Sequence, residues 1–589
     1  MQVAVNSSPY HLSMKRKKNE WYSVCDGLWS DPKTWISNGK KRHISYPQNG
    51  DNVHINHIVS LDQSALLYNL TVAGKLLALN NISLDILGNF QTTGIVDFTN
   101  SNIILTLSNV GNQIPYTGFL AGNSTVRYNA ICDQPILHLA YNNLQTLGSI
   151  GCKYLTANTI IFGNLNAQSD FECLTYDLTV NGTSVIGTVG SYNFTKNGSG
   201  NLLFVGNVDF EGSTNLSGGN PNIEFRNGVQ IHTFSFMSGT GNVYFTTNNQ
   251  ILNSSAYLGG IWNSPIFIIG DITVSLQGAF TTSSTIDGTT NSSTLNNNGT
   301  LNLRNSRPPM LTGIFNYMHD PNSTLGLLYD GSYTLPYSVY ANLVVDGIGT
   351  KSQSANTIIN KSLSIKRDFG ESYYELNGYN LTVNGTLTNT GGFIANAHSN
   401  VLVVGLCTFS NGTVGSLGCD FRFGNPDFEF RGGLFIHAFS NYTGTGVFKF
   451  TTNNQTIDMN VINGGSMDCD ILIDGITLTW IDGAIINTNY INGVINGTSF
   501  DSTLINKGII GVANPQQPML AGILNTYDFA NTVLYIKDGA QDIKPGTYKN
   551  LTLAGSGTKK LLGNVVVKNT YTLTSSAILD LNGFTLSNS

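Results

Sequence analysis

The stretch YDLTVNGT at 176–183 returns as YNLTVNGT at 379–386, with Leu178 and Leu381 standing 203 residues apart. Behind it, NPNIEFRNGVQIH (220–232) is matched by NPDFEFRGGLFIH (425–437), and GTGNVYFTTNNQ (239–250) by GTGVFKFTTNNQ (444–455). Further on, TLNNNGTLNL (294–303) and PMLTGIFN (309–316) are matched by TLINKGIIGV (503–512) and PMLAGILN (518–525), and the offset between Asn316 and Asn525 has grown to 209 residues. A unit of about 200 residues has been duplicated, with small insertions at turns. A shorter register occurs three times. YNNLQTLGSIGCK (141–153), YANLVVDGIGTK (340–351) and YKNLTLAGSGTK (548–559) share a Tyr, an Asn-Leu pair and a glycine-rich ending in Lys. ELNG at 375–378 likewise recurs as DLNG at 580–583. A repeat of this kind cannot be an ordinary globular core met once; it has to stack.

What stacks is set by the apolar residues. Runs such as NLTV (69–72), ISLDI (82–86), IILTL (103–107), NLLFVG (201–206), NVYFTT (242–247) and KSLSIK (361–366) are short, alternate in polarity and are bounded by Asn, Gly and Ser. That is the signature of strands between turns. Strands of like register recur after 21 residues from Ile82 to Ile103 and after 20 from Leu381 to Val401, the length of one turn of a three-sided coil. Such a coil pairs each strand with the one a turn later and lets Asn side chains stack at the turns. The fold class expected is all-β: an elongated, right-handed parallel β-helix or β-solenoid containing the duplicated unit. Tandem β-sandwich modules are the alternative, because the half-units also have the size of such a module.

Only 11% of the chain is charged, against about 25% in an average soluble protein, while 41% is hydrophobic and 64 residues are Gly. The net charge of −6 carries no concentrated positive surface, so nucleic acid is not an expected partner. Seven Cys, at 25, 132, 152, 173, 407, 419 and 469, have no CxxC pair and no metal-type spacing with the nine His, and read as reduced thiols packed as small apolar side chains. The first residues lack the order of a secretion signal, and no apolar run reaches the ~18 residues of a membrane span, so neither secretion by the usual route nor membrane insertion is expected.

Residues 1–25 show no periodicity and hold Lys15, Arg16, Lys17 and Lys18 together. From Gly27 the pattern changes to GLWSDPKTW (27–35), then PQNGDNVHI (47–55), VSLD (59–62) and YNLTV (68–72). This succession resembles the opening of β-solenoid surface proteins of bacteria and their phages. The later Tyr-x-Asn-Leu units ending in Lys resemble repeats of Bacteroidetes-type surface proteins and of phage tail fibres and tailspikes. The resemblance implies a β-solenoid and a place at a biological surface; it assigns no catalytic residue. On this reading 1–25 is a basic arm for virion attachment, 26–175 a cap and first solenoid segment, 176–378 repeat unit A, and 379–589 repeat unit B with a partial terminal copy.

Trp29 and Trp35 suit an N-terminal cap over the first coil, since open strand edges invite aggregation. As a pair of aromatics near a turn they are also the glycan-stacking candidates. No polar cap is visible towards Ser589, so cover by another subunit or protein is expected there. The acids Asp368, Glu371 and Glu375 are the best cluster for polysaccharide cleavage, yet an acidic turn is the commoner meaning of such a group. Glu224-Phe225-Arg226 and Glu429-Phe430-Arg431 recur at matched positions, which argues for a structural cross-coil ion pair. His232 and His437 read as packing residues. No catalytic, cofactor-binding or metal-binding residue is therefore assigned, and no cofactor is expected.

The function expected is that of a structural virion component, a phage tail fibre or spike giving a rigid rod for attachment to a host-surface glycan or protein receptor. Its partners would be other virion proteins, docked through Lys15, Arg16, Lys17 and Lys18, and the chain would be open to homotrimer formation. It would be made in the host cytoplasm and end in the virion. A bacterial cell-surface adhesin and a polysaccharide depolymerase are the alternatives.

Overall fold

The structure, a computed structural model, describes residues 18–588 apart from 39–44, 80, 149, 188–190, 196–197, 212, 216–220, 233–235, 238, 240, 255–260, 367–371, 395–398, 411–419, 423–425, 437–440, 443–445, 459–465, 468, 482–489 and 527–530. It contains two compact units: Met1–Ser275 with Ile286–Thr294, and Leu276–Thr285 with Leu295–Ser589. Both are parallel β-solenoids. Together they hold about 21 turns, 52% of residues are in strands, and no α-helix occurs among the described residues. No helix among them is long and apolar enough to cross a membrane.

In the first unit, Asn69–Val72, Lys75–Ala78 and Ser83–Ile86 are the three sides of one coil. Phe90–Thr92, Ile95–Asp97 and Ile104–Leu107 are the sides of the next. Each strand pairs in parallel with its counterpart one coil on, Leu70 with Phe90, Leu76 with Val96 and Leu84 with Leu105. The second unit repeats the scheme: Leu381 pairs with Val401, Leu387 with Cys407 and Gly392 with Asp420. The twenty-residue recurrence is thus the coil length, and the sandwich alternative falls, because its strands would pair antiparallel with chain neighbours. One antiparallel pair does occur, at the start, where Trp35–Ser37 lies against Glu20–Ser23.

Alternation turns one residue in two into the coil, and like side chains stack along it. Phe204, Phe225 and Phe245 follow one another with ring centroids 5.7 and 5.6 Å apart, and Phe430 lies 5.2 Å from Phe450 in the second unit. Corners are tight where YDLTVNGT ends. A Cβ on Gly182 would come 2.4 Å from Gly163 O, and one on Gly385 1.8 Å from Lys361 O, so neither glycine of the duplicated stretch is replaceable without moving backbone.

Outside the coil, Asn and Asp side chains accept from the backbone N–H one coil on. Asn158 takes Asp177 N (3.0 Å), Asp177 takes Asn201 N (2.8 Å), and Asn222 takes Asn242 N (3.1 Å) while donating to Asn201 Oδ1 (3.3 Å). The second unit does the same, from Asn356 to Asn380 N (2.9 Å) and from Asn380 to Asn400 N (3.0 Å). The abundance of Asn is therefore a way of satisfying turn amides that no strand partner reaches. Asn222→Ala should cost about 1 kcal/mol of unfolding free energy and speed amide exchange locally in the peptide that contains Asn242. Unchanged exchange there would mean that the ladder carries nothing.

The duplication is written in the backbone. Asn249 and Asn454 have φ of 60° and 61°, Met310 and Met519 of 57° and 54°, and Asn377 and Asn582 of 51° and 50°. Left-handed conformations are costly for residues with a Cβ, so their return at matched positions is evidence of common local structure, including the ELNG/DLNG match. The threefold register is explained as well. Lys153, Lys351 and Lys559 are each 0% exposed. Their ammonium groups donate to carbonyls at a corner: Lys153 to Ala130 O (2.8 Å), Lys351 to Gly331 O (3.0 Å), and Lys559 to Lys537 O and to Gly539 O (3.4 Å). The Tyr of the register is buried too. Tyr141 OH lies 2.7 Å from Tyr128 OH, and Tyr548 OH lies 3.0 Å from Tyr535 OH.

Candidate functional site

Trp29 and Trp35 are 1% and 0% exposed, so neither offers a ring face to a sugar. They meet edge to face at 5.0 Å, and Trp35 Nε1 donates to Trp29 O (2.8 Å). Asp31 caps the intervening 3-10 turn Pro32–Thr34 by accepting from Lys33 N, which fixes the approach of the two indoles. Below them the buried Asp51 accepts from Trp21 Nε1 (2.8 Å), Gln48 N (3.0 Å) and Asn19 N (3.2 Å). The segment closes the first coil instead of presenting a platform. It also begins earlier than the sequence boundary at residue 25, since Glu20–Ser23 is a strand paired on both sides. Of the basic cluster, Lys15, Arg16 and Lys17 lie outside the described residues. Lys18 Nζ sits 2.5 Å from the centroid of the Tyr68 ring, a cation–π contact within the chain.

Asp368 and Glu371 also lie outside the described residues. Glu375 accepts from Ser352 Oγ (2.5 Å) across the coil. The Glu/Arg pairs form within one coil and not across coils, between a strand Glu and the Arg just past the strand's end: Arg226 Nε reaches Glu224 (2.6 Å) and Arg431 Nε reaches Glu429 (2.7 Å). The cross-coil partner of each carboxylate is a hydroxyl, Thr246 at 2.8 Å and Thr451 at 2.9 Å. Spacing of two along extended chain puts both side chains on one outer face, so the pair needs no second coil. Hydrogen bonding from Arg431 and Thr451 outweighs burial and holds the Glu429 carboxyl below its usual range. His232 is exposed, with Nε2 3.1 Å from Asp209 Oδ1, so it is a surface partner of a carboxylate and not a packing residue; His437 is outside the described residues.

Cys173, Cys407 and Cys469 are buried as expected, but Cys25 and Cys132 are exposed and Cys152 is half-buried; Cys419 is outside the described residues. Cys25 and Cys132 stand at bends between strands, where the inward alternation is interrupted. Among the described residues no group of three His, Cys, Asp or Glu is placed to hold a metal ion.

One aromatic group at the surface carries no signal in the repeat pattern itself. In the second unit Tyr317 stacks on Tyr337 with centroids 4.1 Å apart and planes 18° from parallel, Phe315 lies 6.0 Å from both, and Tyr340 lies 5.8 and 6.2 Å from them. Phe315, on the strand Ile314–Asn316, turns inward, while Asn316 faces out and donates to Asn296 Oδ1 (2.7 Å). Tyr337 N donates to Tyr340 OH (3.1 Å), which holds the Tyr340 ring against the backbone that carries Tyr337. Met318 is partly exposed beside Tyr317 and is reached by Asn360 Nδ2 at 3.9 Å. Partial burial pushes the Tyr317 and Tyr337 phenols up, so both remain neutral donors and acceptors at ordinary pH. The signal was present as IFNYM at 314–318 against ILNTY at 523–527, a divergence inside an otherwise repeated stretch.

Comparison with known protein families, with curated proteins and with solved structures finds no match, so the class the chain can be given is that of its architecture, a parallel β-solenoid.

Proposed function

We propose that this chain is a structural attachment protein, a component of a phage tail fibre or spike that carries a binding surface to a host-surface glycan. The observation that supports the reading most is the coil-on-coil stacking of a duplicated unit, whose outer faces bear amide ladders in place of charge. Backbone satisfied coil to coil leaves few openings for proteases, and neutral amides and tyrosines suit hydroxyl-rich ligands. The Trp29/Trp35 segment closes the first coil, which such a scaffold requires at an otherwise open edge.

The experiment is immunogold labelling with antibody raised against the chain, applied to cells producing it and to the particles they release. Label on particle tails is the expected result. Label on intact cell envelopes would replace this reading with that of a cell-surface adhesin, and label on neither would overturn both.

A further inference from the structure

Two copies of one folding unit allow a comparison that a single unit does not: a side chain required by the fold is required in both. Phe315, Tyr317 and Tyr337 stand where the second copy has Leu524, Thr526 and Pro545. The frame around them is kept. Met310 and Met519 share a positive φ, Leu311 and Leu520 are both 57% exposed, Gly313 and Gly522 have φ of 113° and 111°, and Tyr340 and Tyr548 are buried alike. Among the described residues of the second copy, Thr526 Oγ1 donates to Thr547 O (2.7 Å) at that corner. The rings of the first copy are thus not repeated at the equivalent positions of the second.

We propose that Tyr317 and Tyr337, with Phe315 beneath them and the amides of Asn296, Asn316 and Asn360 beside them, bind a neutral oligosaccharide. This rests on the attachment reading and gives it a place. A sugar ring offers a C–H-rich face and a rim of hydroxyls. Partly exposed tyrosines supply a rigid apolar surface with a polar tip at small entropic cost, and each amide both donates and accepts, as a hydroxyl does. The Asn316–Asn296 hydrogen bond orders two of these amides in advance, so less freedom is lost on binding. The contacts that hold the cluster together are ring on ring, which suits the apolar face of a neutral sugar.

The second copy also supplies the variant. Phe315→Leu with Tyr317→Thr installs residues that this frame already accommodates, and Tyr337→Ala removes the other half of the stack. Leu520→Ala in the second copy is the control. Full-length proteins are measured against an array of short neutral gluco-, galacto- and manno-oligosaccharides by titration calorimetry, and against host cells by adsorption, with melting curves to confirm folding. The expected result is binding of the parent chain and the control to at least one neutral oligosaccharide, weakened tenfold or more in both tyrosine variants. Equal binding by all four proteins overturns the site and leaves attachment standing. Tyrosine-dependent adsorption to cells without oligosaccharide binding overturns the carbohydrate and makes the receptor a protein. Binding to neither array nor cells overturns the site together with the attachment reading.

Discussion

Trp35→Ala lowers the unfolding free energy by about 3–5 kcal/mol, the range for truncating a fully buried large aromatic. Three observations put it in that range. The side chain is 0% exposed, its indole N–H is committed to Trp29 O at 2.8 Å, and its ring edge packs on Trp29 at 5.0 Å. The residue also opens the strand Trp35–Ser37, whose partner Glu20–Ser23 is in turn the first strand of the parallel stack. A cavity there loosens the antiparallel lid and exposes the edge of the first coil, a site for pairing with other chains. Chemical unfolding followed by circular dichroism reads the loss. Ile36→Ala, one residue on and facing out, should stay within about 0.5 kcal/mol of the parent. Equal effects from the two would mean that the lid does not stabilise the coil. The same geometry says that deleting residues 1–25 removes a strand and the buried Trp21, so it cannot separate attachment from folding.

How far the sequence could be read follows from which of its signals repeat. The coil length was legible because Leu, Val, Ile and Phe return to the inner face every turn, and the stacked ladders confirm the spacing at Leu84/Leu105 and Leu381/Val401. The role of Asn at turns was legible for the same reason. Depth was not. GLWSDPKTW looks identical whether its indoles face a sugar or a core, and only the antiparallel strand folded over them decides it. The four residues of EWYS are too few, beside four basic ones, to announce a strand. Nor does spacing distinguish a pair two residues apart within one coil, as Glu224–Arg226 is, from a pair on neighbouring coils. The tyrosine cluster lies where the copies differ, outside any repeated signal. A repeat makes differences informative, and Phe315, Tyr317 and Tyr337 are legible only as departures from Leu524, Thr526 and Pro545.

The buried lysines give the molecule an unusual response to pH. Burial lowers the Lys351 ammonium to about 8, with Asp330 and Asp346 only partly restoring it, and burial lowers Lys153 and Lys559 in the same direction. The ordinary lysine value is about 10.4. Between these values the unfolded chain still holds protons that the folded chain has released, so stability rises as pH increases from about 8 towards 10. The gain is lost again as pH falls through the folded value. Above about 10 the sign reverses. Tyr128, Tyr141, Tyr535 and Tyr548 have phenols pushed upward by burial, so the folded chain keeps protons that the unfolded chain gives up. Melting temperature against pH should therefore climb above neutrality, peak and then fall. Lys351→Ala, which leaves Gly331 O and Ile348 O without their shared donor and opens a void, should cost about 2–5 kcal/mol. Lys351→Met fills the volume and removes the titrating group, so it should flatten part of the climb while costing less than the alanine. A climb of unchanged size in Lys351→Met would show that the ammonium at that corner is not the source of the response. Its loss would tie the threefold glycine-lysine register of the sequence to a definite energetic role: a buried amine that fills a corner between the carbonyls of successive coils and is disfavoured there in its charged form.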